Sequence, residues 1–320
     1  LIIDLLKDAA YSLRVLLHLP RADLIVVNCF WLPAILSLFQ RVPVISLGKT
    51  VMNLQRMPKG QLQLYRFTSR IAATSTAVAA EAHRQTPAVS RLVKVLPNPI
   101  DTAAFARSSA SAPAQGPPVV LYTGRIHPEK GLVLLVRACG RLVREGAALK
   151  LRLIGPSATN QGGGGQQFID ELNSAAKASG VDLELRPPVV SRADLAREIW
   201  DCTVYCYPSL ADQGESFGVA PLEAMAAGVA PIVSDLACFR DFVDPEQNAV
   251  VFDHRGEAAE ANLAEAIRRL LSSADLRNRL GRSAVATAQR FSIAAVADQY
   301  LTDFATITGL PAIAKDAAKP

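Results

Sequence analysis

Short apolar runs of strand length alternate with stretches of helical periodicity along most of this chain, and that alternation leaves few folds open. The runs "DLIVVNCF" (23–30), "PVISL" (43–47), 70–74, 92–96, "VVLYT" (119–123), "LKLRLIG" ending at Gly155, "VDLELR", "VYCYP" from 204 and 230–233 are separated by helical patterns or turns. Parallel neighbours need a long crossover, usually a helix, so this order specifies an α/β protein with parallel sheets. The helix after Gly131 shows the pattern well. Leu132, Leu135, Val136, Cys139, Leu142 and Val143 fall on one face, and Arg137, Arg141 and Arg144 on the other. At 320 residues, 50% hydrophobic and 20% charged, the chain is long enough for two domains.

The residues "RSSASAPAQGPP" (107–118) read as a linker, giving a first domain over 1–106 and a second over 119–291. A helix from Ile293 begins after Ser292 as N-cap, and the tail 311–320 reads as disordered. The "GGGG" of 162–165 reads as a mobile loop. Gly48-Lys49-Thr50 ends like a phosphate-binding P-loop, but the first glycine of that motif would fall at Pro43, which excludes it. A net charge of +5 favours anionic partners, while the scatter of the basic residues argues against nucleic acid. No stretch offers about 20 uncharged apolar residues, so none reads as a membrane span. Residues 1–19 are amphipathic, with Leu5, Leu6, Leu13, Leu16 and Leu17 on the apolar side, and read as a packed helix; peripheral contact with the inner face of a membrane is the other use of such a helix. The cysteines Cys29, Cys139, Cys202, Cys206 and Cys238 are odd in number and without framework spacing, as in a cytoplasmic protein. Cys202 and Cys206 read as core residues of one strand.

The chemistry concentrates in "GESFGVAPLEAMAAGVAPIVSD" (214–235). Pro221 suits the first helical position, which predicts a helix over Leu222–Ala227 with Glu223 in its first turn and Glu215 on the loop before it. The amides of Phe217, Gly218 and Val219 then lie at a helix N-terminus, where backbone N–H groups lack internal acceptors and bind anions. A phosphate flanked by two carboxylates able to accept from hydroxyls describes a pocket for a sugar joined to a phosphate.

Glu215 and Glu223, within "ESFGVAPLEAMAAGVAPIVSD", resemble the donor-site signature of retaining GT-B glycosyltransferases of the GT4 type, the glycosyl transferases group 1. The resemblance implies two Rossmann-like domains with parallel sheets facing each other across a cleft. It also implies transfer of a hexose from a nucleotide-diphosphate sugar to a saccharide or lipid-linked acceptor, as in surface polysaccharide or glycolipid synthesis. Arg125 and Lys130 match the family's Gly-Arg…Lys-Gly element, which holds the diphosphate, the Arg bidentately and the Lys as a point charge. By the same resemblance Glu215 contacts the donor sugar and Glu223 the ribose, with Gly124, Gly155, Val189, Phe217, Gly218 and Val219 completing the donor site. Pro97, Asn98 and Asp101 resemble the family's end of the first domain, and residues 292–306 its final helix, which crosses back to that domain.

No cofactor or metal is expected, since no Asp-x-Asp pair is present and Asp182-Leu183-Glu184 reads as structural. The chain departs from the family in two ways. The glycine-rich start of the first domain is not found, so that domain reads as incomplete, and Leu47 and Gly48 stand where many members place a histidine. A donor-binding fragment or partner subunit without turnover is therefore the alternative. A glycoside hydrolase needs both carboxylates at one bond, which the resemblance does not give.

Overall fold

The computed structural model describes residues 2–18, 22–28, 48–107 and 116–311. The helix expected over Pro33–Gln40, the strand over 43–47, Cys29, most of the 107–118 linker and nearly all of the 311–320 tail lie outside the described residues. The chain divides into two units, Leu1–Asn98 with Ala294–Pro320, and Pro99–Ile293.

In the first unit β1 (Leu24–Val27), β2 (Lys49–Leu54), β3 (Arg70–Ala73) and β4 (Val93–Val95) form a four-stranded sheet in that order, every pair parallel. Strand β2 had no counterpart in the sequence reading. Met52 and Leu54 pack with Ile71, Ala73, Tyr65 and Val78 in one core, while Val51 packs with Ala72 and Leu96 in another. A strand covered on both faces loses the apolar–polar alternation of a half-exposed one, and Lys49 and Asn53 dilute what signal is left.

The second of those cores is completed by Tyr300, Phe304 and Ile307 of the helix Ile293–Thr308. Asp303 on that helix is fully buried and accepts from Arg70 Nε at 2.9 Å and Lys94 Nζ at 2.8 Å, so β3 and β4 both hold it. The opening helix, Ile2–His18, differs from expectation: Leu6 and Leu13, read as packed, are exposed, as is Tyr11. No described helix is long and apolar enough to cross a membrane.

The second unit holds β5 (Val119–Thr123), β6 (Lys150–Ile154), β7 (Asp182–Arg186), β8 (Val204–Tyr207), β9 (Pro231–Ser234) and β10 (Val250–Phe252). They form a six-stranded parallel sheet in the order β10-β9-β8-β5-β6-β7. The chain enters at β5, runs outward to β7, then returns to lay β8 on the other side of β5. In an open α/β sheet ligands bind beyond the carboxyl ends of the strands at such a reversal. Cys206 is fully buried in β8, but Cys202 lies ahead of it and is only half-buried, so the two do not share a strand.

Residues 99–106 fall on the second unit's side of the division, ahead of the boundary expected near 107. The reason is local packing. Trp200 Nε1 donates to Phe105 O at 3.0 Å, Asp101 pairs with Arg192 at 3.0 Å, and Ile100 bridges to Ser292. The glycine quartet also departs from expectation, because all of its amides are bonded. Those of Gly162, Gly163, Gly164 and Gly165 donate to Thr159, Ala158, Ile126 and Ser157. Acceptors this close to β5 and β6 make it a fitted segment of the unit rather than a free loop.

Candidate functional site

Two loops leave the strand ends at the reversal, one after β5 and one after β8. The first is shaped by Tyr122, whose hydroxyl donates to Arg125 O at 2.8 Å, and by Ile126 N donating to Pro156 O at 2.9 Å. A single turn at Pro128–Lys130 then leads into the helix Leu132–Arg144. The second loop is tied to the first by Leu210 N donating to Glu129 O at 2.8 Å. Their side chains meet in one line of alternating charge. Arg125 Nη2 lies 2.6 Å from Glu129 Oε1, that oxygen lies 3.7 Å from Lys130 Nζ, and Lys130 Nζ donates to Glu215 Oε2 at 2.8 Å.

Burial grades along this line. Lys130 and Glu215 are 4% and 8% exposed, so each charge depends on the other. The ammonium also sits 5.7 Å from the centroid of the Tyr207 ring, which stacks on Tyr122 at 5.5 Å. Arg125 is the open end, with its other nitrogen donating to Gly162 O at 2.9 Å. Partial burial of Glu129 works against ionisation, but Lys130, Arg125 and His127 prevail and hold its carboxyl below the usual range.

Beside this line is a cavity of about 290 Å³ walled by Ile154, Pro156, Pro188, Val189, Leu195 and Ala220, with Thr123, Gly124, Gly155, Arg125 and Glu223 completing it. Gly155 has φ 153°, and a Cβ there would stand 1.9 Å from Gly124 O, so only glycine lets the β5 and β6 ends approach. The carboxyl of Glu223 accepts no hydrogen bond from any described residue, and burial pushes its pKa up to about 7 against the weaker pull of Arg192. It is a carboxyl awaiting a partner.

The helix that carries Glu223 runs Val219–Ala226, beginning two residues before Pro221 rather than at it. Pro221 at the third position costs no hydrogen bond, because the first four helical N–H groups have no acceptor within the helix. Glu223 accordingly lies in the second turn. The cap is Gly218 at φ 94°, where a Cβ would meet Phe239 at 2.5 Å. The amides of Phe217, Gly218 and Val219 find no backbone acceptor among the described residues. The Phe217 ring itself is core, packed against Phe242 and Phe291.

The charged line, the cavity wall and the turn into the helix of Glu223 all fall within residues 106–286, the span matched by the family model described as glycosyl transferases group 1. The chain belongs to that family. Among glycosyl transferases of the group it is 30% identical over 225 residues to phosphatidyl-myo-inositol mannosyltransferase of Mycobacterium tuberculosis, covering 67% of this chain and 54% of that protein. It is 31% identical over 258 residues to D-inositol 3-phosphate glycosyltransferase of Kineococcus radiotolerans, covering 76% of this chain and 58% of that one. The chain thus spans about half the length of the curated relatives it matches. Among solved structures it resembles Anabaena HepE in complex with UDP, with a TM-score of 0.75, 18% identity, and 93% and 82% of the two chains covered. It also resembles sucrose-phosphate synthase of Thermosynechococcus elongatus, with a TM-score of 0.74, 20% identity, and 90% and 74% covered. At such identities the likeness is one of fold, the α/β fold with two parallel sheets of GT-B enzymes.

In this group 1 chain the structure sorts the candidates into three sets. Gly124, Arg125, Gly155, Val189 and Glu223 share the cavity wall, and Lys130 and Glu215 form the buried pair beside it. Phe217, Gly218 and Val219 do not line the cavity; they are the turn into the helix of Glu223. Sequence reasoning missed Glu129. It had a signal, an acid four residues after Arg125 in Pro128-Glu129-Lys130-Gly131, but its contact with both cations depends on the fold. Among the described residues no group of three or more His, Cys, Asp or Glu is arranged to hold a metal ion.

Proposed function

We propose that this chain takes part in transfer of a hexosyl group from a nucleoside-diphosphate sugar, with retention of configuration and without a metal, to a saccharide or lipid-linked acceptor. The observation that carries the reading is the placement of Arg125 and Glu223 on the wall of one cavity at the strand-order reversal, with Lys130 and Glu215 joined to Arg125 through Glu129. The ribose hydroxyls would donate to Glu223, giving that carboxyl the partners it lacks. The apolar wall of Pro188, Val189 and Leu195 suits a base.

Departure of the nucleotide places negative charge on the β-phosphate while the sugar becomes cation-like, so fixed donors at that phosphate lower the barrier. Arg125 and Lys130 are those donors, and Glu215 holds the Lys130 ammonium in place while facing the sugar. Lipid acceptors find support in the mycobacterial relative, a phosphatidyl-myo-inositol mannosyltransferase.

The test is calorimetry with UDP, GDP and ADP, then donor hydrolysis and transfer with the matching sugar nucleotides, with the anomer read by NMR. An inverted product, or activity lost in EDTA and restored by magnesium, overturns the corresponding part. Binding without hydrolysis or transfer would make the chain a donor-binding protein.

A further inference from the structure

Both cations that the proposed reading needs for a diphosphate are already occupied. Arg125 is held by Glu129 at 2.6 Å and Lys130 by Glu215 at 2.8 Å, with Glu129 also 3.7 Å from Lys130. The charges of these four groups cancel. A diphosphate entering here brings two negative charges to a cluster that has no net positive charge to offer, and it meets two carboxylates at close range.

One carboxylate must therefore give way, and the surroundings decide which. Glu215 is buried and bonded to a buried ammonium, so moving it would strand Lys130. Glu129 has a side chain 31% exposed, and it sits on a single turn where its backbone, not its carboxylate, ties the two loops together. Rotation about its side-chain bonds carries the carboxylate into water without disturbing either loop.

We infer that Glu129 is an internal counter-anion that occupies the diphosphate position on Arg125 and Lys130 until the donor displaces it. This rests on the proposed assignment of the site to a nucleoside-diphosphate sugar, and adds that affinity for the donor is held down by a carboxylate of the protein. An anion with a single weak charge gains too little from the cations to dislodge Glu129, so the same residue favours a diphosphate over smaller anions.

The test compares wild type with Glu129→Gln by calorimetry against UDP, GDP and ADP, and against uridine, guanosine and adenosine as phosphate-free controls. Glu129→Gln should bind the accepted nucleoside diphosphate roughly tenfold more tightly, with the affinity for the matching nucleoside unchanged. Glu129→Asp, which reaches less far toward Arg125, should show a smaller gain in the same direction. The gain should shrink in Arg125→Ala/Glu129→Gln relative to Arg125→Ala, because only Lys130 is then left for Glu129 to screen. Wild-type binding that is unchanged or weakened in Glu129→Gln sinks this inference alone, since Glu129 would then be orienting Arg125. Failure of both proteins to bind any of the three nucleotides would bring down the site assignment and the inference with it.

Discussion

Each unit of this molecule buries an acid against cations, and the two pairs lie in different surroundings. In the first, Asp303 is fully buried and satisfied by Arg70 and Lys94, which come from adjacent strands. In the second, Glu215 is almost as buried and faces Lys130, but the pair sits beyond the carboxyl ends of β5 and β8 next to an open cavity. A buried ion pair by itself therefore says little about function. Its place relative to the strand-order reversal, and the presence nearby of polar groups still lacking partners, separate a site from a strut.

That contrast can be broken by substitution. The largest effect is expected from Arg125→Ala, which should lower kcat/KM by a hundredfold or more, about 3 kcal/mol of transition-state stabilisation. Because Arg125 is half exposed, thermal melts should be almost unchanged. Turnover within about threefold of wild type would remove Arg125 from the proposed role.

Next is Glu223→Gln, read through pH. The carboxyl of Glu223 titrates near 7 in the folded chain against 4.5 for an ordinary glutamate. The folded state thus binds its proton more tightly than the unfolded state does. That contribution to stability is complete below about pH 4.5 and is lost as pH rises through about 7, a swing of about 3 kcal/mol. Melting curves of wild type and Glu223→Gln from pH 4 to pH 8 should diverge as pH rises, with the variant gaining. Parallel curves would refute the shifted titration.

Asp303→Ala should cost about 2 kcal/mol in denaturant unfolding, less than for a fully buried pair because Lys94 is half exposed. It should leave nucleoside-diphosphate affinity within about twofold of wild type. A large loss of affinity would end the distinction between strut and site.

The sequence spoke most clearly where the physics is local. The helix after Gly131 announces itself by periodicity, and it forms over Leu132–Arg144 with Leu135, Val136 and Cys139 buried. Ser191 caps the helix Arg192–Trp200, accepting from Asp194 N at 3.3 Å. Reading failed where the deciding contacts are distant in sequence. Glycine content suggested looseness at 162–165, but the amide of Gly164 is bonded to Ile126, which no local pattern reveals. Burial on both faces hid β2, and the start of the helix bearing Glu223 was misplaced because proline is tolerated anywhere in a first turn. Glu129 gained its meaning only when folding brought it against both cations, and the pairing of Glu215 with Lys130 was equally out of reach of local pattern.

The helix Ile293–Thr308 has a bearing on biogenesis. Tyr300, Phe304 and Ile307 close a core whose other walls, Leu24, Val51, Ala72 and Leu96, are translated well before them. That sheet is therefore left with one apolar side bare while the intervening 195 residues of the other unit emerge from the ribosome. Emergence of this helix, rather than completion of the four strands, is the event that lets that unit mature, and a premature stop before residue 300 would leave it vulnerable to proteases.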